Sequence, residues 1–120
     1  MFNFFGLRRS RCNSRNLIYN LVSYEKVRDM ILDKENILID VRSNNEYNIM
    51  HVVNAVNIPV SKLRVCESEY KGKKCIILYC SSGIRTKEAI GILNSMGYNN
   101  LYIWEYGSLS NFPYKDMLKI

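Results

Sequence analysis

KKCIILYCSSGIRTKEAIGILNSMG, residues 73–97, carries the decision about the fold. From Cys75 to Tyr79 every position is apolar, as expected of a strand buried on both faces of a parallel sheet. Beyond the loop, Ala89, Ile90, Leu93 and Met96 fall at i, i+1, i+4 and i+7, the spacing of one helical face. Thr86 is the expected N-cap and Gly97 the expected stop. The segment therefore reads as strand, loop, helix, with Cys80 at the carboxyl end of a central strand.

The same alternation runs outward in both directions and predicts an α/β fold. NLVS (20–23) reads as an opening strand, with Ser23 capping a helix over 24–33 whose inward face carries Val27, Met30 and Ile31. NILIDV (36–41) is a second buried strand, followed by a short helix near 44–50 and a small strand in AVNIP (55–59). A helix is expected through 61–69, a last strand in NLYIW (100–104) and a terminal helix over 114–119. No repeat or linker interrupts residues 17–120, which are read as one domain.

The 120 residues are 48% hydrophobic, with no apolar run near the ~20 residues that span a bilayer. Formal charge is +6, unevenly placed. Arg8, Arg9, Arg11 and Arg15 stand in residues 1–16 without an acid, leaving 13 of the 17 basic side chains to face all 11 acidic ones. Residues 1–16 are read as a flexible basic arm, and neither a nucleic-acid partner nor membrane contact by the arm is expected. Cys12, Cys66, Cys75 and Cys80 lack paired C-x-x-C spacing, which argues against a metal site, and a reducing cytoplasm with free thiols is the expectation. Cys66 is placed on a surface helix and Cys75 in a strand.

The loop supports chemistry. Amides of a helix's first turn lack intrahelical partners and favour an anion. Gly83 permits the positive φ that a ring of inward-facing amides requires. Arg85 adds positive charge. A free thiol has a pKa of ~8.5, which such surroundings lower to roughly 3.5–7.5, so a nucleophilic Cys80 needs no base. His51, the one histidine, is read as packed or hydrogen-bonded.

CSSGIRT resembles the active-site loop of the rhodanese family, C-x-x-G-x-R-[ST], and DVR (40–42), EY (46–47), HVVNAVNIP (51–59) and EYGSLSNFP (105–113) follow the family's order. The resemblance covers about residues 22–115. It implies a doubly wound sheet of five mainly parallel strands with helices on both faces. It also implies a sulfurtransferase with Cys80 as nucleophile and persulfide carrier, and Ser81, Ser82, Gly83, Ile84, Arg85 and Thr86 around the bound sulfur. Asp40, Arg42 and Glu46 form a supporting network. The donor it implies is thiosulfate or a persulfide and the acceptor a thiol, another nucleophile or a protein, and no cofactor is called for. Met50, Asn54, Tyr106 and Asn111 depart from the family's glycines and tryptophan, with Asn54 tolerable because asparagine visits left-handed geometry.

Two other functions are compatible with the chain. Arsenate reductases and phosphatases of related fold run C-x5-R, one residue longer than the spacing from Cys80 to Arg85, and a non-catalytic interaction module would not need the intact cysteine, glycine and arginine.

Overall fold

The computed structural model describes residues 16–120, so all but the last residue of the basic arm lies outside the described residues. The main sheet has five strands: β1 (Asn20–Leu21), β2 (Ile37–Asp40), β4 (Ala55–Asn57), β5 (Ile76–Tyr79) and β6 (Leu101–Ile103). Their order is β1-β6-β5-β2-β4 and every neighbouring pair is parallel. β5 is central, and Asp40 lies opposite Tyr79 in the register of β2 with β5.

Alternation along the central strands builds two cores. Ile76, Leu78 and Cys80 turn to one face, where helix α3 (Ile84–Ser95) packs through Ala89, Ile90 and Leu93. Ile77 and Tyr79 turn to the other, against Val27, Met30 and Ile31 of helix α1 (Tyr24–Leu32) and Trp104 and Phe112. The uninterrupted apolar run is thus explained by helices on both sides. Ser23 caps α1 as expected, accepting from the Lys26 N–H at 3.1 Å. The chain leaves β2 toward β4 on one side and leaves β5 toward β6 on the other. Such a reversal opens a crevice at the carboxyl ends of β2 and β5, where open α/β sheets bind ligands.

Three expected elements differ. Residues 61–69 are not one helix but two short 3-10 turns, Val60–Lys62 and Glu67–Glu69. The Leu63 carbonyl, which a continuous helix would offer to the Glu67 N–H, instead accepts from the buried Tyr70 hydroxyl at 2.7 Å. Cys66 is consequently half-buried between turns, and Cys75 is half-buried just before β5 rather than within it. The terminal helix is replaced by a single turn, Lys115–Met117, and strand β7 (Leu118–Lys119). Met117 is buried and its carbonyl takes the Val53 N–H at 2.7 Å, which extends the chain so that β7 pairs antiparallel with β3 (His51–Val52). Finally, α3 begins earlier than expected, with Gly83 rather than Thr86 as its N-cap.

Beneath the crevice, the fully buried Asp40 carboxylate accepts from the Arg42 backbone N–H, Arg42 Nε and Nη2, and the Tyr79 hydroxyl at 2.6 Å. Burial, then the Asp40 charge, push the Tyr79 phenol far above its ordinary range. Removing the cation from such a pair strands a buried charge. Arg42→Ala is expected to lower stability by about 3–5 kcal/mol, read as a shift of the urea midpoint at unchanged slope.

Candidate active site

Cys80 follows β5, and the segment after β6 fixes its backbone. Its N–H donates to the Gly107 carbonyl at 3.0 Å, and its carbonyl accepts from the Leu109 N–H at 2.7 Å. The residue is 1% exposed. The Sγ atom accepts from the Gly83 N–H at 3.0 Å, so the loop folds back on its own sulfur.

The backbone of that loop is oriented by partners outside it. The Ser81 carbonyl receives the Ser108 hydroxyl at 2.8 Å and the Ser110 hydroxyl at 3.3 Å. Because a peptide's carbonyl and the next N–H point in opposite directions, this turns the Ser82 N–H away from that wall. The Gly83 carbonyl is taken by the Lys87 N–H, which likewise aims the Ile84 N–H out of the helix end. Among the described residues, the N–H groups of Ser81, Ser82, Ile84, Arg85 and Thr86 have no backbone acceptor. They are the donors that an anion at a helix N-terminus uses.

Gly83 is required twice over. Its φ is +105°, and a Cβ placed on it would lie 2.3 Å from the Tyr106 carbonyl oxygen. Thr86 does not cap the helix. It is buried, and its hydroxyl donates to the Gly107 carbonyl at 2.9 Å, the same oxygen that holds the Cys80 N–H.

Arg85 is less free than its sequence position suggests. Its Nη1 and Nη2 donate to the two carboxylate oxygens of Glu46 at 2.6 and 3.0 Å. Glu46 lies on helix α2 (Asn44–Ile49) and also accepts from the Ser43 N–H and hydroxyl and, at 3.3 Å, the Ser81 hydroxyl. Arg85, then Ser43, hold the Glu46 carboxyl well below the usual carboxylate range against the opposing effect of burial. Glu46 therefore bonds to the Cys80 loop, while Asp40 and Arg42 bond to each other, to Tyr79 and to the Met50 carbonyl. With the guanidinium neutralised by its partner, the backbone amides carry most of the loop's pull on an anion.

His51 is engaged elsewhere: its Nδ1–H donates to the Tyr47 carbonyl at 2.8 Å and its ring stacks on Tyr47 with centroids 3.7 Å apart. Asn54 adopts φ +67°, the left-handed geometry expected of it, whereas Met50 is extended at φ −167°, which any residue adopts. Sequence reasoning missed Tyr79 as a partner of Asp40 and missed Gly107 and Ser108 as the wall behind Cys80. The only signal for that wall was the segment EYGSLS.

The sequence pattern of the rhodanese-like domain matches residues 23–110. A tRNA uridine(34) hydroxylase of Buchnera aphidicola is 31% identical over 93 residues, which is 72% of this chain. The chain spans 30% of that relative's length. Among solved structures, a rhodanese with anions from E. coli superposes with a TM-score of 0.52 at 30% identity, covering 56% of this chain and 81% of that one. The human single-domain sulfurtransferase TSTD1 superposes with a TM-score of 0.63 at 24% identity over 77% of this chain and 93% of its own, a likeness of fold.

Two outcomes are expected from this geometry. Gly83→Ala should lower stability by at least about 1–2 kcal/mol, from the positive φ alone, and should remove most Cys80 reactivity toward an anionic sulfur donor, followed by intact-mass analysis. Glu46 has a folded pKa below its ordinary 4.5, so its stabilising contribution is present above that pH and is lost as pH falls below it. Glu46→Gln should flatten this acid limb of the stability curve, measured by thermal melts across the acid range.

Proposed function

The chain belongs to the rhodanese-like domain family, and within it we propose a sulfurtransferase that carries sulfur as a Cys80 persulfide from thiosulfate or a persulfide donor to a thiol acceptor. The observation that carries the reading is the Gly83 N–H on Cys80 Sγ at 3.0 Å, at the centre of a turn whose other amides lack backbone acceptors. That arrangement suits a sulfur anion at Sγ and, after transfer, a second sulfur beyond it.

In the first half-reaction the Cys80 thiolate, its proton given to solvent, attacks the outer sulfur of thiosulfate. The new S–S bond forms as the old one breaks, and sulfite leaves with the electron pair. Negative charge then rests on the terminal sulfur, for which the Ser81, Ser82, Ile84 and Arg85 amides, without backbone acceptors, are the available donors. Preorganised donors of this kind stabilise developing charge without reorganisation. In the second half-reaction an acceptor thiolate attacks the terminal sulfur, and the pair returns to Cys80 Sγ. The Arg85–Glu46 pair holds the first turn of α3 to α2, which keeps the loop closed around the sulfur.

Arsenate or phosphate chemistry fits less well. The short C-x4-R loop already closes its Gly83 amide onto Sγ, leaving less room for a tetrahedral anion placed in line for attack. The likeness to tRNA uridine(34) hydroxylases supports a second reading, in which the domain serves oxygenation of a tRNA uridine. A Cys80-dependent change in a tRNA uridine, made by the purified chain without sulfur transfer, would favour it.

Intact-mass analysis after thiosulfate tests the first reading. The native chain should gain one sulfur atom, Cys80→Ser none, and Cys12→Ser, Cys66→Ser and Cys75→Ser should gain it as the native chain does. Normal loading of Cys80→Ser would overturn the assignment.

A further inference from the structure

Residues 104–107 form a tight turn closed by the Gly107 N–H on the Trp104 carbonyl at 2.7 Å. Its third residue has φ +63° and ψ −5°, a geometry for which such a turn calls for glycine or asparagine. The residue is Tyr106, and an ordinary side chain in the left-handed region costs roughly 1–2 kcal/mol. The neighbouring chain does not relax to relieve it. Gly107 is held by Cys80 and Thr86 through its carbonyl, and a Cβ there would fall 2.7 Å from the Thr86 methyl.

Tyr106 stands at the rim of the sulfur loop. A Cβ placed on Gly83 would be 3.8 Å from the Tyr106 Cβ, so the ring starts directly over the turn that carries Cys80. It is 63% exposed, and Ile84, on the other side of Gly83, is 77% exposed. Cys80 itself is almost fully buried. A cysteine residue has a single methylene between backbone and sulfur. To reach Cys80 it must lay its own backbone and neighbours on the rim, where Tyr106 and Ile84 lie.

We propose that Tyr106 selects the sulfur acceptor: a cysteine in a peptide segment, flanked by an aromatic side chain that stacks on the Tyr106 ring. The inference rests on the Cys80 sulfur-transfer reading. Thiosulfate presents no apolar surface to the rim, so selection acts in the second half-reaction. The left-handed turn is what starts the Tyr106 side chain beside Gly83.

The test loads Cys80 with thiosulfate and follows single-turnover transfer to two short peptides that differ only in the residue beside their cysteine, phenylalanine or serine. The ratio of the two rates is read within each variant, so that any general change in loading divides out. The native chain should favour the phenylalanine peptide by roughly 2- to 10-fold, the range of one aromatic pair. Tyr106→Phe should keep the ratio. Tyr106→Asn and Tyr106→Gly, both suited to the turn, should bring it to one. Equal rates in the native chain, or a preference that survives in both ringless variants, would overturn the inference while leaving the proposed function intact. Failure of the native chain to load sulfur would overturn both.

Discussion

The peptide of Cys80 is clasped at its two ends by one strip of chain, through the Gly107 carbonyl and the Leu109 N–H. This bridge extends the central parallel sheet one residue past β5 and pins the cysteine at the sheet's carboxyl edge. The Gly107 carbonyl serves Cys80 and Thr86 together, so the strand end and the first turn of α3 share one anchor. Ser108 adds a hydroxyl on the Ser81 carbonyl, and its own carbonyl is held by the indole N–H of the buried Trp104 at 2.8 Å. A ring of amides is useful only if its radius is fixed. Here the loop's length sets that radius, and a wall of hydrogen bonds from residues 107–110 holds it.

Electrostatics follows from the same placement. The sheet delivers Asp40 and Arg42 beside the loop, but their charges cancel within one buried pair that also takes in Tyr79. Arg85 is matched by Glu46 at the surface. What remains uncompensated at the end of β5 is the helix N-terminus and its amides. A neutral surround with directed dipoles suits an anion that must form and then leave, because a bare guanidinium would hold product as firmly as intermediate.

Much of this was legible in the sequence because the signals were local. The apolar run from Cys75 to Tyr79, the helical spacing from Ala89 to Met96 and glycine at position 83 each follow from one stretch of chain. Ser23 as a cap and Asn54 in left-handed geometry were legible for the same reason. The misread elements were decided by distant partners. The helix expected at 61–69 was broken by the Tyr70 hydroxyl taking a carbonyl seven residues back, and the terminal helix gave way to pairing with His51–Val52. Thr86 has the chemistry of an N-cap, and only the position of Gly107 shows that its hydroxyl is spent elsewhere. The Glu46–Arg85 pair joins residues 39 positions apart and left no mark in spacing or composition.

Gly83 and Tyr106 show how one constraint produces another. The Tyr106 carbonyl occupies the space where any other residue at 83 would carry its Cβ, so the glycine admits the turn and the turn in return requires the glycine. That mutual fit fixes where residue 106 starts but says nothing about its side chain, since glycine or asparagine would serve the backbone at less strain. The ring is therefore surplus to the fold. The Tyr106 Cβ starts beside the turn that carries Cys80, and acceptance is the step at which a partner larger than thiosulfate has to touch the rim. Backbone geometry sets what chemistry the loop can do, and the side chain carried at strain on its edge sets which molecule is admitted to it.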